Sequence, residues 1–197
     1  MRKVRDYYFK KAKKEKYPAR SIYKLEEIQR KYHLLGRADS VLDFGCFPGS
    51  WSLYAAELVG PKGLVVGVDI QETNKSPRPG SAEIHWLCQD IMDPELITRL
   101  RRIRPAFKVI ISDIAPNTTG NRWADHQRSM QLVNHTLELA ERLLHKKGNY
   151  LCKIFQGEDM PAFVAGLKKR FAFVKVIKPE SSRKESREVF VLGMEYL

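Results

Sequence analysis

The run Ser40-Val-Leu-Asp-Phe-Gly-Cys-Phe-Pro-Gly-Ser-Trp51 constrains this chain more than any other stretch. It reads as a short buried strand, a glycine-bearing turn and the start of a helix. A second apolar run, Leu64-Val-Val-Gly-Val-Asp69, ends in an acid. Together they form the pattern of a nucleotide-binding βαβ unit. Gly45 and Gly49 let the backbone approach a ligand, and Asp69 can accept hydrogen bonds from a ribose diol. The loop lacks the third glycine of G-x-G-x-x-G and carries Pro48 and the bulky Trp51 instead. Such a loop does not suit a pyrophosphate seated on bare backbone amides. An adenosine carrier without phosphates, S-adenosylmethionine, fits it better, and a nicotinamide-dependent dehydrogenase is disfavoured for the same reason.

Strand-like apolar runs recur at 40–44, 64–69, 83–88, 107–112, 148–155, 172–177 and 188–194, with helical patterns between most of them. Residues 20–35 place Ile22, Leu25, Ile28 and Tyr32 on one helical face. A longer helix runs through Leu132, Val133, Leu137 and Leu143, with Lys146-Lys147-Gly148 as its stop signal. Alternating strands and helices predict an α/β fold: a mostly parallel sheet of about seven strands, helices on both faces. The last two strands leave no room for a crossover helix, so they are expected to run antiparallel. Residues 71–81 hold several glycine and proline breakers and read as a loop. At 197 residues the chain suits a single domain, 1–197, with a basic extension over 1–18.

The net charge of +12 is concentrated at the two ends. Residues 1–31 carry twelve Lys/Arg against four acids, and 168–188 carry eight against three. The first segment interleaves Tyr7, Tyr8, Phe9, Tyr17 and Tyr23 with its cations, a combination suited to phosphate contacts and stacking on unpaired bases. RNA is therefore the expected partner. No apolar run approaches the roughly 20 residues that span a bilayer, and there is no signal-peptide core. Cys46, Cys88 and Cys152 are scattered without a C-x-x-C pair. A cytoplasmic protein is expected. His33, His85, His126, His135 and His145 show no metal-ligand spacing, and no metal is expected.

Ligands of such sheets sit beyond the carboxyl ends of the strands. Asp43, Asp69, Asp90 and Asp113 follow the first four strands in turn, and Lys153 lies within the fifth. A lysine in an apolar strand is unusual, because desolvation disfavours its charge unless an acid compensates. The Asn/Asp-Pro-Pro-aromatic motif of amino-group methyltransferases is absent after the fourth strand. The Pro-Cys element of pyrimidine-C5 methyltransferases is absent as well.

Five motifs in order then resemble one family. They are Ala19-Arg-Ser-Ile-Tyr-Lys24-Leu, the Asp43 to Trp51 loop, Ser112-Asp113-Ile-Ala-Pro-Asn117, Lys153-Ile-Phe-Gln-Gly157 and Ser181-Ser-Arg-Lys-Glu-Ser-Arg-Glu188. From about Ala19 to Val191 the chain resembles the FtsJ-type (RrmJ-type) ribosomal RNA 2′-O-ribose methyltransferases. The resemblance implies a Rossmann-like class I S-adenosylmethionine-dependent methyltransferase fold. It implies a monomeric enzyme that methylates a ribose 2′-hydroxyl, a uridine of large-subunit ribosomal RNA. Transfer RNA or an mRNA cap stays open as substrate, as does a non-catalytic RNA-binding assembly factor of the same fold. The family's catalytic set falls on Lys24, Asp113, Lys153 and Glu188. Its cofactor contacts fall on Gly45, Gly49, Trp51, Asp69, Asp90 and Asp113. Two departures sit in the loop, where Cys46-Phe47 replaces a pair of alanines and Ser50 replaces a glycine. Cys46 reads as a small apolar turn residue rather than a nucleophile.

Overall fold

In a computed structural model, residues 2–116, 119–183 and 185–197 are described, with side chains from Tyr7 onward. Asn117 and Lys184, both within the motifs above, lie outside the described residues. Seven strands form one sheet in the order β3-β2-β1-β4-β5-β7-β6. They are β1 (Ser40–Phe44), β2 (Leu64–Asp69), β3 (Glu83–Cys88), β4 (Phe107–Ser112), β5 (Leu144–Phe155), β6 (Phe171–Ile177) and β7 (Glu188–Tyr196). Neighbours are parallel except around β7, which runs antiparallel to both β5 and β6. The antiparallel last strand matches the expectation from its short connection.

Strand residues alternate between two cores, as a sheet covered on both faces requires. Leu42, Val66 and Ile110 face α4 (Leu96–Ile103), α5 (Arg122–Leu143) and α6 (Met160–Lys168). Val41, Val65 and Ile111 face α2 (Ile22–Tyr32) and α3 (Ser50–Val59). The central strands β1, β2 and β4 thus read as continuous apolar runs because both of their faces are dry, whereas the edge strands β3 and β6 are partly exposed. The order reverses at β1 and β4, so the chain leaves these neighbours in opposite directions and opens a crevice at their carboxyl ends.

One segment gains structure that the sequence reading did not give it, and one local expectation is corrected. The basic N-terminal segment contains a helix, α1 (Arg2–Lys14). Its Ala12 is buried with Ile22 and Tyr23, and Tyr8 and Tyr17 pack against them. This small cluster docks a helix whose composition is dominated by charge. The Lys146-Lys147-Gly148 signal does not end α5, which stops at Leu143. Leu144 already pairs with Phe107, and the register then shifts, Val109 pairing with Asn149. Residues 145–147 are exposed, and Lys147 takes a positive φ of 57°. The lysines therefore bulge into water from within the strand. A bulge and a helix stop share the same residue chemistry.

Candidate active site

Lys24, Asp113, Lys153 and Glu188 come from four separate elements and meet at the rim of the sheet. Ser112 pairs with Cys152, so Asp113, just past the end of β4, lies beside Lys153. Phe155 pairs with Glu188 on the antiparallel strand, which brings Glu188 to the same rim. Lys153 Nζ donates to Asp113 Oδ1 at 2.9 Å and also to the Asp113 carbonyl oxygen. Lys24 Nζ, from the first turn of α2, lies 2.7 Å from Glu188 Oε1 and 4.0 Å from the same Asp113 Oδ1. The four side chains are only 7–17% exposed. Burying two cations is costly unless each is paired and hydrogen-bonded, and here each has a carboxylate. The charges balance pairwise.

Beside this cluster lies a cleft of about 460 Å³, lined by Gly45, Phe47, Asp69, Asp90 and Asp113 among others. That volume suits a small ligand or cofactor. Gly45 has a positive φ of 76°, and a Cβ there would sit 2.4 Å from Ile114 Cγ1. Only glycine lets the chain pass between strand and cleft at this point. Asp69 Oδ2 accepts from the Phe47 N–H at 3.0 Å, and Oδ1 accepts from the Gln71 N–H at 2.9 Å. Asp90 Oδ1 accepts from the Met92 N–H at 2.9 Å. Each carboxylate keeps acceptor capacity free at the cleft. Phe47, Ile70 and Met92 line the same cleft with large exposed apolar surface. Sequence reasoning did not select Ile70 and Met92; an apolar residue one or two positions after each rim acid was the available signal.

Gly49 and Trp51 do not line that cleft. Gly49 precedes α3 with a positive φ of 105°, and a Cβ there would meet Trp86 and Lys75, so it faces the β2–β3 loop. Trp51 is 3% exposed. Its indole Nε1 donates to the Ser21 carbonyl at 2.9 Å, and its ring lies 5.6 Å from that of Phe190. Phe190 in turn lies under Lys24 Nζ, 5.6 Å from the ring centroid. The Ser50 hydroxyl accepts from the Ala19 N–H at 2.7 Å. Ser50 and Trp51 therefore fasten the loop to the start of α2, the helix that carries Lys24. The sequence contained the residues of this link but not their contacts.

Two further groups complete the electrostatics. Asp43 is fully buried; Ser52 Oγ donates to its Oδ2 at 2.6 Å, and Oδ1 has no partner among the described residues. Burial pushes its pKa up to about 7, with the neighbouring Asp113 and Asp69 adding to the shift. Cys46 is buried too, and burial holds its thiol well above the ordinary value. A thiol so held is a poor nucleophile, in keeping with its reading as an apolar turn residue.

The FtsJ-like methyltransferase family model matches residues 17–196. Ribosomal RNA large subunit methyltransferase E of Desulfotalea psychrophila is 63% identical, over all of this chain and 98% of that protein. The protein of the same name from Syntrophobacter fumaroxidans is 45% identical over 97% of this chain and 95% of its own length. A crystal structure of a Plasmodium falciparum protein, described as a ribosomal RNA methyltransferase, superposes with a TM-score of 0.79 at 27% identity. It covers 92% of this chain and 99% of that one. With a Rossmann-like sheet, a cleft at its switch point and four charged residues beside it, the chain belongs to the FtsJ-like methyltransferase family.

Proposed function

We propose that this chain transfers a methyl group from S-adenosylmethionine to a ribose 2′-hydroxyl of large-subunit ribosomal RNA, at a uridine. One observation carries the reading. Asp113 lines the cleft and also holds Lys153, so the place for a cofactor and the proton-handling cluster share a residue. The names of full-length relatives support ribosomal RNA as the substrate.

The residues present fit the cofactor. Asp69 offers a carboxylate to a ribose diol, and Asp90 offers one to the edge of an adenine. Ile70 and Met92 supply apolar cover for its faces. Gly45 keeps the backbone open where a side chain would collide. Gly49 and Trp51 contribute by shaping the loop and anchoring it to α2. When bound, S-adenosylmethionine supplies an electrophilic methyl on a sulfonium. A ribose hydroxyl is a weak nucleophile, so the protein must orient its oxygen and remove its proton as the new bond forms. Lys153, held in place by its two bonds to Asp113, takes that proton or positions a path for it. Lys24, fixed by Glu188, supplies positive charge beside the developing alkoxide. All four groups come from one chain, so the site needs no second copy; the proposed setting is a monomer in the cytoplasm, acting on ribosomal RNA.

The test is methyl transfer from labelled cofactor to large ribosomal subunits taken from cells that lack this gene, with ribose methylation mapped by mass spectrometry. Label on a ribose 2′-oxygen of the large-subunit RNA is the expected result. Label on a base, or no transfer to any RNA, would overturn the reading.

A further inference from the structure

Trp123 stands apart from the other two tryptophans. Trp51 Nε1 donates to the Ser21 carbonyl, and Trp86 Nε1 donates to the Lys75 carbonyl. Trp123 is 66% exposed, and its indole N–H and ring have no partner among the described residues. A large apolar ring left in water costs free energy in proportion to its exposed area. Its place in the fold shows where that ring is presented. It lies in the first turn of α5, next after the loop that leaves Asp113 at the carboxyl rim of the sheet.

The surroundings are ordered and cationic. Asn121 caps α5, accepting from the Trp123 and Ala124 N–H groups at 3.1 Å each. Asp125 accepts from the Thr119 and Gly120 N–H groups at 2.7 and 3.2 Å, so this nearby acid is committed to the backbone. Arg187, the residue before Glu188, donates to the Arg122 carbonyl at 3.3 Å and to the Gln156 carbonyl. Both acceptors are neutral, so the guanidinium charge remains available. The covalent neighbour of Glu188 thus touches the covalent neighbour of Trp123. The exposed ring sits at the same rim as the proton-handling cluster, next in sequence to Arg122, whose carbonyl Arg187 holds.

We infer that Trp123 is a stacking platform for an unpaired RNA base next to the target ribose. The inference rests on the RNA-methylation reading above and names a residue that the family resemblance does not assign. Aromatic faces bind any base, and flanking arginines hold the adjoining phosphates. Such a platform would hold the strand so that the 2′-hydroxyl stays at Lys153. Trp123 is a positioning residue, acting through the substrate strand rather than on the reacting atoms.

The experiment compares Trp123→Ala and Trp123→Phe with the parent in steady-state methylation of large subunits from cells lacking the gene. Thermal melting and S-adenosylmethionine titration of each variant control for folding. The alanine variant should raise KM for the subunits by roughly tenfold to a hundredfold, the usual loss for one base–aromatic stack. The effect on kcat should be far smaller, and the phenylalanine variant should recover most of the loss. Binding of an unpaired decauridylate should quench tryptophan emission in the parent, and Trp123→Phe should abolish most of that quenching. An unchanged KM in Trp123→Ala, or failure of phenylalanine to rescue, overturns the inference. A raised KM without any quenching by the oligonucleotide also overturns it, and assigns the ring to a ribosomal protein instead. If the parent itself transfers no methyl group to RNA, the functional reading fails, and the quenching measurement still decides whether Trp123 stacks on bases.

Discussion

Lys153 is bound twice by Asp113, once by its carboxylate and once by its backbone carbonyl. A lysine held by a side chain alone can follow that side chain through several rotamers. One also tied to a carbonyl at the end of a strand is fixed to the sheet itself. That rigidity is what a general base needs, because small displacements from the productive geometry are expensive in rate. Lys153→Ala should fold and bind S-adenosylmethionine normally, since the cleft is lined from the loops after β1 to β4. Single-turnover methyl transfer should slow by roughly 10²–10⁴, the range for a lost general base. Near-normal transfer by a folded Lys153→Ala protein would remove Lys153 from the mechanism.

Asp69 holds two backbone amides, Phe47 N–H and Gln71 N–H, so it organises the cleft as well as offering acceptors to it. Asp69→Ala should lose a charge-assisted hydrogen bond worth roughly 1.5–3 kcal/mol. Cofactor affinity should then fall by one to two orders of magnitude in a calorimetric titration. Asp69→Asn should fall less, because its carbonyl oxygen can still accept one amide. Equal affinity in the parent and the alanine variant would show that Asp69 only shapes the loop.

What was legible in the residues was what depends on near neighbours. The β1 loop, Asp69 at the end of β2 and Lys153 in an apolar strand each announce themselves within a dozen residues, and all three stand at the rim. Side-chain direction was not legible. Trp51 follows the glycine loop directly, yet its ring turns into the core toward Phe190, a contact across 139 positions of sequence. The insertion of β7 between β5 and β6 is likewise a property of the whole sheet. The helix α1 escaped notice because its apolar stripe is short and hidden among lysines.

That helix also sorts its own lysines. Lys11 is engaged within the protein, 3.5 Å from Glu26 and 4.2 Å over the Tyr23 ring. Lys10, Lys13 and Lys14 are exposed. Removing the whole segment would strip a packed helix from the fold, so neutralising these three is the cleaner test of an RNA-docking role. Replacing all three with Gln should weaken RNA binding. It should also reduce the slope of log affinity against log salt by about 2, at roughly 0.7 per phosphate contact on a single strand. Cofactor affinity should not change. A salt slope equal to that of the parent would mark the three lysines as solvated surface.

Asp43 gives the fold a pH dependence of defined sign. Its folded pKa of about 7 lies above the roughly 4 of an unfolded aspartate. Between those values the folded chain keeps a proton that the unfolded chain has lost, so stability falls as pH rises. The contribution is fully present below about pH 4 and is gone once pH passes through the folded value. Its slope is at most about 1.4 kcal/mol per pH unit. The physical cause is a buried carboxylate with one oxygen served by Ser52 and the other by nothing among the described residues. Asp43→Asn retains an acceptor for Ser52 and cannot ionise. In urea unfolding of the cofactor-free protein between pH 5 and 8, the parent should lose stability relative to this variant as pH rises. Parallel curves for the two proteins would mean that Asp43 is ionised throughout, compensated by a group near its free oxygen.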